Sequence, residues 1–432
     1  LERYGSTTRI RSNGGRLHPD TNGLTAAVFR QTTSRLDDPQ LHTHVVISAK
    51  VCTDDGRWYA LDAKTLKGFQ RALGGLYQSV LRAEVTARFG VTWDPIVKGQ
   101  ADIVGVPAEL LEVFSKRAAQ VDAAFEAKLA EFWHREGRDP TPKERGALSR
   151  EAALDTRGRK TGAAAEDLRT VWRREAATVG VTADSLTAGI AAAAPTQLVE
   201  PQRVTVGDIV ADLSEGRSAW HRLDVTQALC DTVRPRPGID GRRWAALLER
   251  AVDRVLHDCI DLDPAGQTRR RRSDGRSVWI EPSARHHTSE MILAQEEHII
   301  SWALDQQSTP PDPSSTVDTA GLDLMQAEAA ATVAGTERLV LVVGPAGAGK
   351  TTMLRAAADD LTAHDRPVVG FAPTAKAARV LETGTGMHCD TVAKLVYEHS
   401  RPDRPPRPDW DLAPGTTVVI DEAGMLATHD LY

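Results

Sequence analysis

Leu339-Val340-Leu341-Val342-Val343-Gly344-Pro345-Ala346-Gly347-Ala348-Gly349-Lys350-Thr351 is the stretch from which the rest of the chain can be organised. Its five leading apolar residues predict a buried strand, and residues 352–361 predict a helix whose N-terminus faces the same point as the turn between them. Glycines in that turn let backbone N–H groups point inward onto phosphate oxygens. Gly344, Pro345, Ala346, Gly347, Ala348 and Gly349 then form the cradle. Lys350 reaches the β- and γ-phosphates, the Thr351 hydroxyl ligates Mg²⁺, and Thr352 completes the binding set. A chance glycine turn lacks this strand–loop–helix context. Further on, Val418-Val419-Ile420-Asp421-Glu422 is a hydrophobic strand ending in two carboxylates. Asp421 is expected to hold Mg²⁺ through water, and Glu422 to orient or deprotonate the attacking water. Lys350 and Glu422 are therefore the catalytic candidates of a nucleoside triphosphate site. Strand and helix alternate around them as in a parallel α/β sheet.

The 432 residues suffice for two or three domains, each with its own core. A hydrophobic content of 41% and a charged content of 26% fit an ordinary globular chain and exclude a disordered or fibrous one. The net charge of −6 means that nucleic-acid binding has to come from local basic patches. Cys52, Cys230, Cys259 and Cys389 are scattered without a CxxC pair, which excludes a disulfide framework or zinc knuckle and suits a reducing cytoplasm. No segment reads as a membrane span or a signal peptide, so membrane insertion is not expected. The chain opens on Leu1 and stops soon after Glu422, and both ends are expected to be cuts in a longer protein.

Ser308 to Ser315 and the alanines up to Pro195 read as breaks, and Pro402 to Pro408 as a surface excursion. Leu110 to Trp133 and Leu66 to Arg88 show helical apolar spacing, the second with Leu73, Leu76, Val80 and Leu81 on one side. Val45 to Cys52 reads as a strand. Trp133 and Trp172 fall at helical apolar positions and are expected in the core. Arg269 to Arg272, with Arg276 nearby, is the most basic run: it is either a non-specific DNA-backbone contact or a solvated loop. His286 and His287 read as loop or cap residues.

Asp38-Pro39-Gln40-Leu41-His42-Thr43-His44 carries the second piece of chemistry. Residues i and i+2 of a strand point the same way, so His42 and His44 can present two imidazoles to one cation. An isolated HxH is otherwise a pair of strand histidines with no ligand role.

Together with Phe29-Arg30-Gln31-Thr32-Thr33-Ser34-Arg35, this segment resembles the metal motif of MobF-class conjugative relaxases, the TrwC/TraI type. The resemblance continues through Gly56 to Leu61, Leu76-Tyr77-Gln78, Phe114-Ser115-Lys116-Arg117 and Thr156 to Lys160. It implies that three positions hold a divalent metal over a scissile DNA phosphate, with a helicase C-terminal to the nickase. Gln31 stands where the family has its first histidine. A glutamine carbonyl suits Mg²⁺ or Mn²⁺ better than Zn²⁺. Arg35 and Lys50 are candidate phosphate contacts, and solvated surface charge is the other reading. The family's catalytic tyrosine lies far N-terminal to the histidines, a role that Tyr4 cannot take, so the chain as given is not expected to nick DNA.

In the later region the resemblance is to superfamily-1 helicases of the RecD-like branch. It places Gln326 as the adenine reader and Pro373 to Arg379, with Thr374 and Lys376, on the single-strand backbone. Thr391-Val392-Ala393-Lys394-Leu395 matches a further helicase segment. The expected fold is α/β and α+β multidomain. It comprises the C-terminal part of a relaxase domain, an antiparallel sheet with helices (residues 1–175), and a helical connecting region (176–312). A P-loop RecA-like parallel α/β lobe follows (313–432). The implied parent activity is origin nicking coupled to ATP-driven unwinding in plasmid transfer, with ATP and Mg²⁺ as cofactors. The implied partners are single-stranded DNA, the transfer origin and a conjugative coupling protein. The alternatives are a non-catalytic DNA- and ATP-binding remnant, or a DNA-dependent ATPase without nicking.

Overall fold

The structure, a computed structural model, describes residues 1–12, 14–158, 163, 165–193, 204–263, 269–307, 317–345, 347–401, 403–407 and 410–432. The Ser308–Ser315 linker, Pro195, Arg159, Lys160, Ala346, Pro402 and Pro408 lie outside these residues. The chain divides into two compact units: residues 1–213 with 219–287, and residues 214–218 with 288–432. No helix among the described residues is long and apolar enough to cross a membrane.

The first unit opens with α1 (Glu2–Gly5) and three antiparallel pairs. These are β1 (Ile10–Ser12) with β2 (Gly15–Leu17), β3 (Ala26–Thr33) with β4 (Pro39–Ile47), and β5 (Lys50–Cys52) with β6 (Trp58–Ala60). The expected strand from Val45 to Cys52 is thus two strands. Ser48 Oγ accepts from Lys50 N at 3.1 Å, a local side-chain bond that competes with the ladder and turns the chain between β4 and β5.

Helices follow: α2 (Lys64–Gly68), α3 (Gln70–Phe89), α4 (Ala108–Val113), α5 (Lys116–Glu136), α6 (Pro142–Asp155), α7 (Ala165–Thr178), α8 (Ala183–Ala192), α9 (Val206–Glu215), α10 (Arg222–Thr232) and α11 (Gly241–His257). The single helix expected from Leu66 to Arg88 breaks at Phe69, which is buried with Ala72 and Leu223. The inward face of α3 is Ala72, Gly75, Ser79, Arg82 and Ala83, while Leu81 is exposed. This face packs on α10 and α11, and a Cβ at Gly75 would stand in ordinary contact with the Cys230 side chain at 3.7 Å. Buried polar side chains on α3 find partners on neighbouring segments. Trp244 Nε1 donates to Ser79 Oγ at 2.9 Å, and Arg82 donates to the carbonyls of Gly99 and Cys230.

The helix expected from Leu110 to Trp133 also breaks, at Phe114 and Ser115. Ser115 gives α5 no side-chain cap. The cap comes instead from Asp38, only 3% exposed, whose Oδ2 accepts from Arg117 N at 3.2 Å. Trp133 is 54% exposed, against the core position expected for it, and its neighbour Phe132 is the buried ring. Two basic side chains, Arg135 and Arg138, lie over Phe132. The basic run is solvated only in part: Arg269, Arg270 and Arg272 are exposed, but Arg271 and Arg276 are not. Arg271, 3% exposed, bonds Asp274 and the carbonyls of Ser277 and Ile280, and Arg276 pairs with Asp263 at 2.6 Å. Neutralised at that range, these arginines act as buried struts. The unit ends with β7 (Ile260–Asp261), which lies alongside β8 (His287–Thr288).

The second unit contains α12 (Glu290–Gln306), α13 (Leu324–Ala334), α14 (Lys350–Ala363), β9 (Val368–Ala372), α15 (Ala375–Thr385), β10 (His388–Thr391), α16 (Val392–His399), β11 (Thr417–Ile420) and α17 (Thr428–Leu431). Its sheet is parallel in the order β10-β9-β11. Ala330, Ala334, Met353, Ala357, Leu361 and Leu381 lead its core. Residues 339–343, expected as a buried strand, are not one: Val343 is 98% exposed and Leu341 73%. Both edges of β9 are already paired, by β10 and β11. Residues 339–343 bond to neither outer edge, and a strand without a neighbour has no ladder to define or bury it.

Candidate metal centre and nucleotide loop

The β3–β4 hairpin assembles the first constellation by register alone. Gln31 pairs with His42 and Phe29 with His44, so Gln31, His42 and His44 lie on one face, His44 diagonal to Gln31. The His44 Nε2–H donates to Gln31 Oε1 at 3.2 Å, and the two imidazole centroids are 4.9 Å apart. The His42 Nδ1–H donates to its own strand's Gln40 carbonyl at 2.9 Å, which leaves Nε2 as the ring's lone-pair nitrogen. Two imidazoles and an amide oxygen are thus brought together, and this donor set fits an oxygen-tolerant divalent cation.

The hairpin turn is clamped from below. Asp38 Oδ2 accepts from Ser34 Oγ at 2.8 Å as well as from Arg117 N, and Lys116 Nζ stands 3.6 Å from Oδ1. Trp172 Nε1 donates to the Asp37 carbonyl at 2.6 Å. Arg117 also donates to the carbonyls of Thr156 and Ala153, joining α6. Lys116, Arg117 and Thr156 therefore serve to hold the turn. Arg35 donates to the Gly158 carbonyl at 2.9 Å, and Lys50 is exposed. Nothing local in the sequence marks Asp38 as the clamp, because its partner lies on a helix far along the chain.

Sequence reasoning also missed an open groove of about 530 Å³ lined by Lys67, Arg71, Tyr77, Gln78, Lys98 and Gln100. Three cations and no carboxylate face it. His221 was missed as well: it is buried, stacks on Phe69 at 4.6 Å and caps α10 by accepting from Leu223 N. Burial, followed by the charge of His286, lowers its pKa to about 4.

In the second unit Gly347 (φ +80°) and Gly349 (φ +72°) adopt the left-handed conformation, and Gly349 is the N-cap of α14. That backbone turns successive N–H groups toward one side, as an anion nest requires. Lys350 Nζ donates to the Gly344 and Pro345 carbonyls at 2.8 and 3.3 Å. Gln326 sits in a capping box with Asp323 and donates from Nε2 to the Ala348 carbonyl at 3.0 Å, tying α13 to the loop. Thr352 is exposed, and Thr351 abuts Gly384 in the last turn of α15.

Because the strands are parallel, the residues after β9 and β11 share the sheet's carboxyl edge, the usual ligand side of such sheets. Asp421 is anchored there by donating from N to the Phe371 carbonyl at 2.9 Å, and its Oδ1 accepts from Glu422 N at 3.0 Å. Glu422 has φ +56°, left-handed for a residue with a Cβ. Thr374 caps α15 by accepting from Ala377 N, with Lys376 exposed beside it. Among the described residues, no hydrogen bond or ion pair joins Lys350 or Thr351 to Asp421 or Glu422.

Residues 1–179 match the family model described as TrwC relaxase, and residues 321–432 the model described as AAA domain. The chain is 34% identical over 165 residues to the multifunctional conjugation protein TraI of Escherichia coli, covering 36% of this chain and 8% of TraI. It is 29% identical over 227 residues to the conjugal transfer protein TraA of Rhizobium radiobacter, covering 52% of this chain and 19% of TraA. The matched segments thus span less than a fifth of these relatives. A solved structure of the conjugative relaxase TrwC in complex with oriT DNA is 29% identical, covering 41% of this chain and 60% of TrwC, at a TM-score of 0.34. A copper-bound structure of TrwC with oriT DNA gives the same identity and TM-score, with 58% of that chain covered. Superposition at that level carries no weight for the fold. The sequence matches do: the chain carries a TrwC relaxase segment over residues 1–179 and an AAA domain over residues 321–432, and is homologous to the TraI and TraA conjugation proteins.

Proposed function

We propose that the chain is part of a conjugative relaxase–helicase. In this reading the β3–β4 hairpin holds a divalent cation against a DNA phosphate, and residues 344–352 with Asp421 and Glu422 bind and hydrolyse ATP with Mg²⁺. The observation that carries the reading is the convergence of Gln31, His42 and His44 on one hairpin face, inside the segment that matches the relaxase family. A cation bound there supplies Lewis-acid polarisation of the phosphate. His42 presents Nε2 because its Nδ1–H is fixed on Gln40, and the Gln31 oxygen in place of a third imidazole tilts the set toward Mn²⁺ or Mg²⁺ relative to a three-histidine site. The groove lined by Lys67, Arg71 and Lys98 supports a single-strand path, since its uncompensated cations would contact backbone phosphates without regard to sequence.

In the second unit the nest at Gly347 to Gly349 and the α14 N-terminus orient phosphates, with Lys350 as their counter-charge. Thr351 and Asp421 would hold Mg²⁺, Glu422 would position water, Gln326 would read adenine, and Thr374 and Lys376 would meet the single strand.

Two binding measurements on the chain test this. Fluorescence anisotropy with a transfer-origin oligonucleotide should show affinity raised by Mn²⁺, and His42→Ala with His44→Ala should abolish that increment. A fluorescent ATP analogue should bind the parent chain and not Lys350→Ala. Metal-independent DNA binding, or equal nucleotide affinity in both chains, would refute the respective half.

A further inference from the structure

Neither family match reaches residues 180–320, yet that region contains a second convergence of metal-ligating side chains. Asp261 closes β7, and His286 and His287 lead into β8. Leu262 N donates to the His286 carbonyl at 2.7 Å and sets the two segments side by side. Adjacent residues of an extended segment point to opposite faces. The His286 and His287 rings nonetheless lie together, with centroids 4.1 Å apart. Asp261, His286 and His287 each bring one ligand atom to within 4.8 Å of the others.

We propose that Asp261, His286 and His287 form a second divalent-cation site, for an ion of the Zn²⁺ type, distinct from the hairpin site. Four observations support it. His287 Nδ1 is buried and has no hydrogen-bond partner among the described residues, a costly arrangement that coordination would relieve. The His286 Nδ1–H is held by the Ala284 carbonyl at 3.1 Å, the outer contact that commonly fixes the tautomer of a ligating imidazole. Asp261 is exposed and gives an ion a way in, with one carboxylate oxygen accepting from Asp263 N at 2.9 Å. The adjacent Arg276 is neutralised by Asp263, so the carboxylate of Asp261 leaves the pocket net negative.

Two imidazoles and one carboxylate are a borderline-soft set that favours Zn²⁺ or Co²⁺ over Mg²⁺, with a fourth position for water. Ligand atoms around a tetrahedral ion stand about 3.4 Å apart, given metal–nitrogen bonds of about 2.0–2.1 Å. Binding therefore contracts the site, and rotation of the exposed Asp261 side chain supplies most of the movement. His221, whose ring is 6.0 Å from that of His286, is not a ligand because its Nδ1 is committed to the α10 cap. An ion here would clasp the two ends of residues 262–285, the segment that carries Arg271 and Arg276.

The test uses the full chain carrying His42→Ala and His44→Ala, stripped with chelator and titrated with Co²⁺ by visible absorption. The expected result is one equivalent of Co²⁺ with tetrahedral ligand-field bands, displaced by Zn²⁺. Asp261→Asn, a surface change that should leave the far-ultraviolet dichroism unaltered, should weaken binding at least about tenfold. His287→Asn should do the same. Absence of the bands, or bands indifferent to Asp261→Asn, would overturn the proposal.

Discussion

Removing the Asp38 carboxylate should release the β3–β4 hairpin from α5. Asp38→Ala deletes two hydrogen bonds to a buried carboxylate, from Ser34 Oγ at 2.8 Å and from Arg117 N at 3.2 Å. It also leaves α5 without a cap, since Ser115 provides none. The Ser34 bond to the charged acceptor contributes about 1.5–3 kcal/mol, and the Arg117 N bond, which is the α5 cap, about 1 kcal/mol. Relief of the carboxylate's own desolvation offsets part of that sum, which leaves about 2–4 kcal/mol. Because the chain forms two compact units, a single global unfolding curve would blur the effect. Amide hydrogen exchange reads it locally. Protection across residues 26–47 and 116–120 should fall about 30- to 800-fold, at about 1.4 kcal/mol per tenfold, with α10 and α11 unchanged. Asp38→Asn keeps a neutral acceptor and should lose less. Protection within threefold of the parent after Asp38→Ala would refute the clamp.

Gly349→Ala places a Cβ at φ +72° and against Gln326 Nε2. It should cost about 1–2 kcal/mol in backbone strain alone and abolish binding of a fluorescent ATP analogue, whereas Gly74→Ala, with no atom nearby, should do neither. Arg271→Ala removes one partner of a buried ion pair and should cost about 3–5 kcal/mol in thermal or denaturant unfolding of the first unit. The exposed Arg270→Ala should cost under about 0.5 kcal/mol, and equal effects would restore the reading of a solvated basic run. His221, with its folded pKa lowered to about 4 by burial, favours the neutral form in the folded state. Its stabilisation is therefore complete above about pH 6.5 and is lost as the pH falls toward 4, at up to about 1.4 kcal/mol per unit. His221→Asn preserves a capping side chain and should flatten that slope; an unchanged slope measured by denaturant titration would exclude His221 as its source.

Local chemistry was the legible part of this chain. The glycines at 347 and 349 announce a left-handed turn, and the two-residue spacing of His42 and His44 announces a shared face, because both follow from backbone geometry a few residues long. Resemblance to the relaxase motif brought in Gln31, which register then placed opposite His42. What was illegible depended on distant partners. The break at Ser115 exists because Asp38 caps the helix from the hairpin, and no periodicity near Leu110 records that. Residues 339–343 have the composition of a strand, but a strand is completed by its neighbours, and β9 is already paired on both sides. The arginine run was legible only in part for the same reason: Arg269, Arg270 and Arg272 are exposed as a solvated run requires, whereas Arg271 and Arg276 pair with Asp274 and Asp263, which shows only in three dimensions. His286 and His287 read as loop residues because their third partner, Asp261, enters from β7.

The proposed cation site on the β3–β4 hairpin is open to direct measurement. Electron paramagnetic resonance of free Mn²⁺ tests it most directly, with the nucleotide-free chain compared against His42→Ala plus His44→Ala. The parent should take up one more equivalent of Mn²⁺ than the variant, which would lower its free-ion signal. Equal free Mn²⁺ in both samples, with both chains folded, would contradict it.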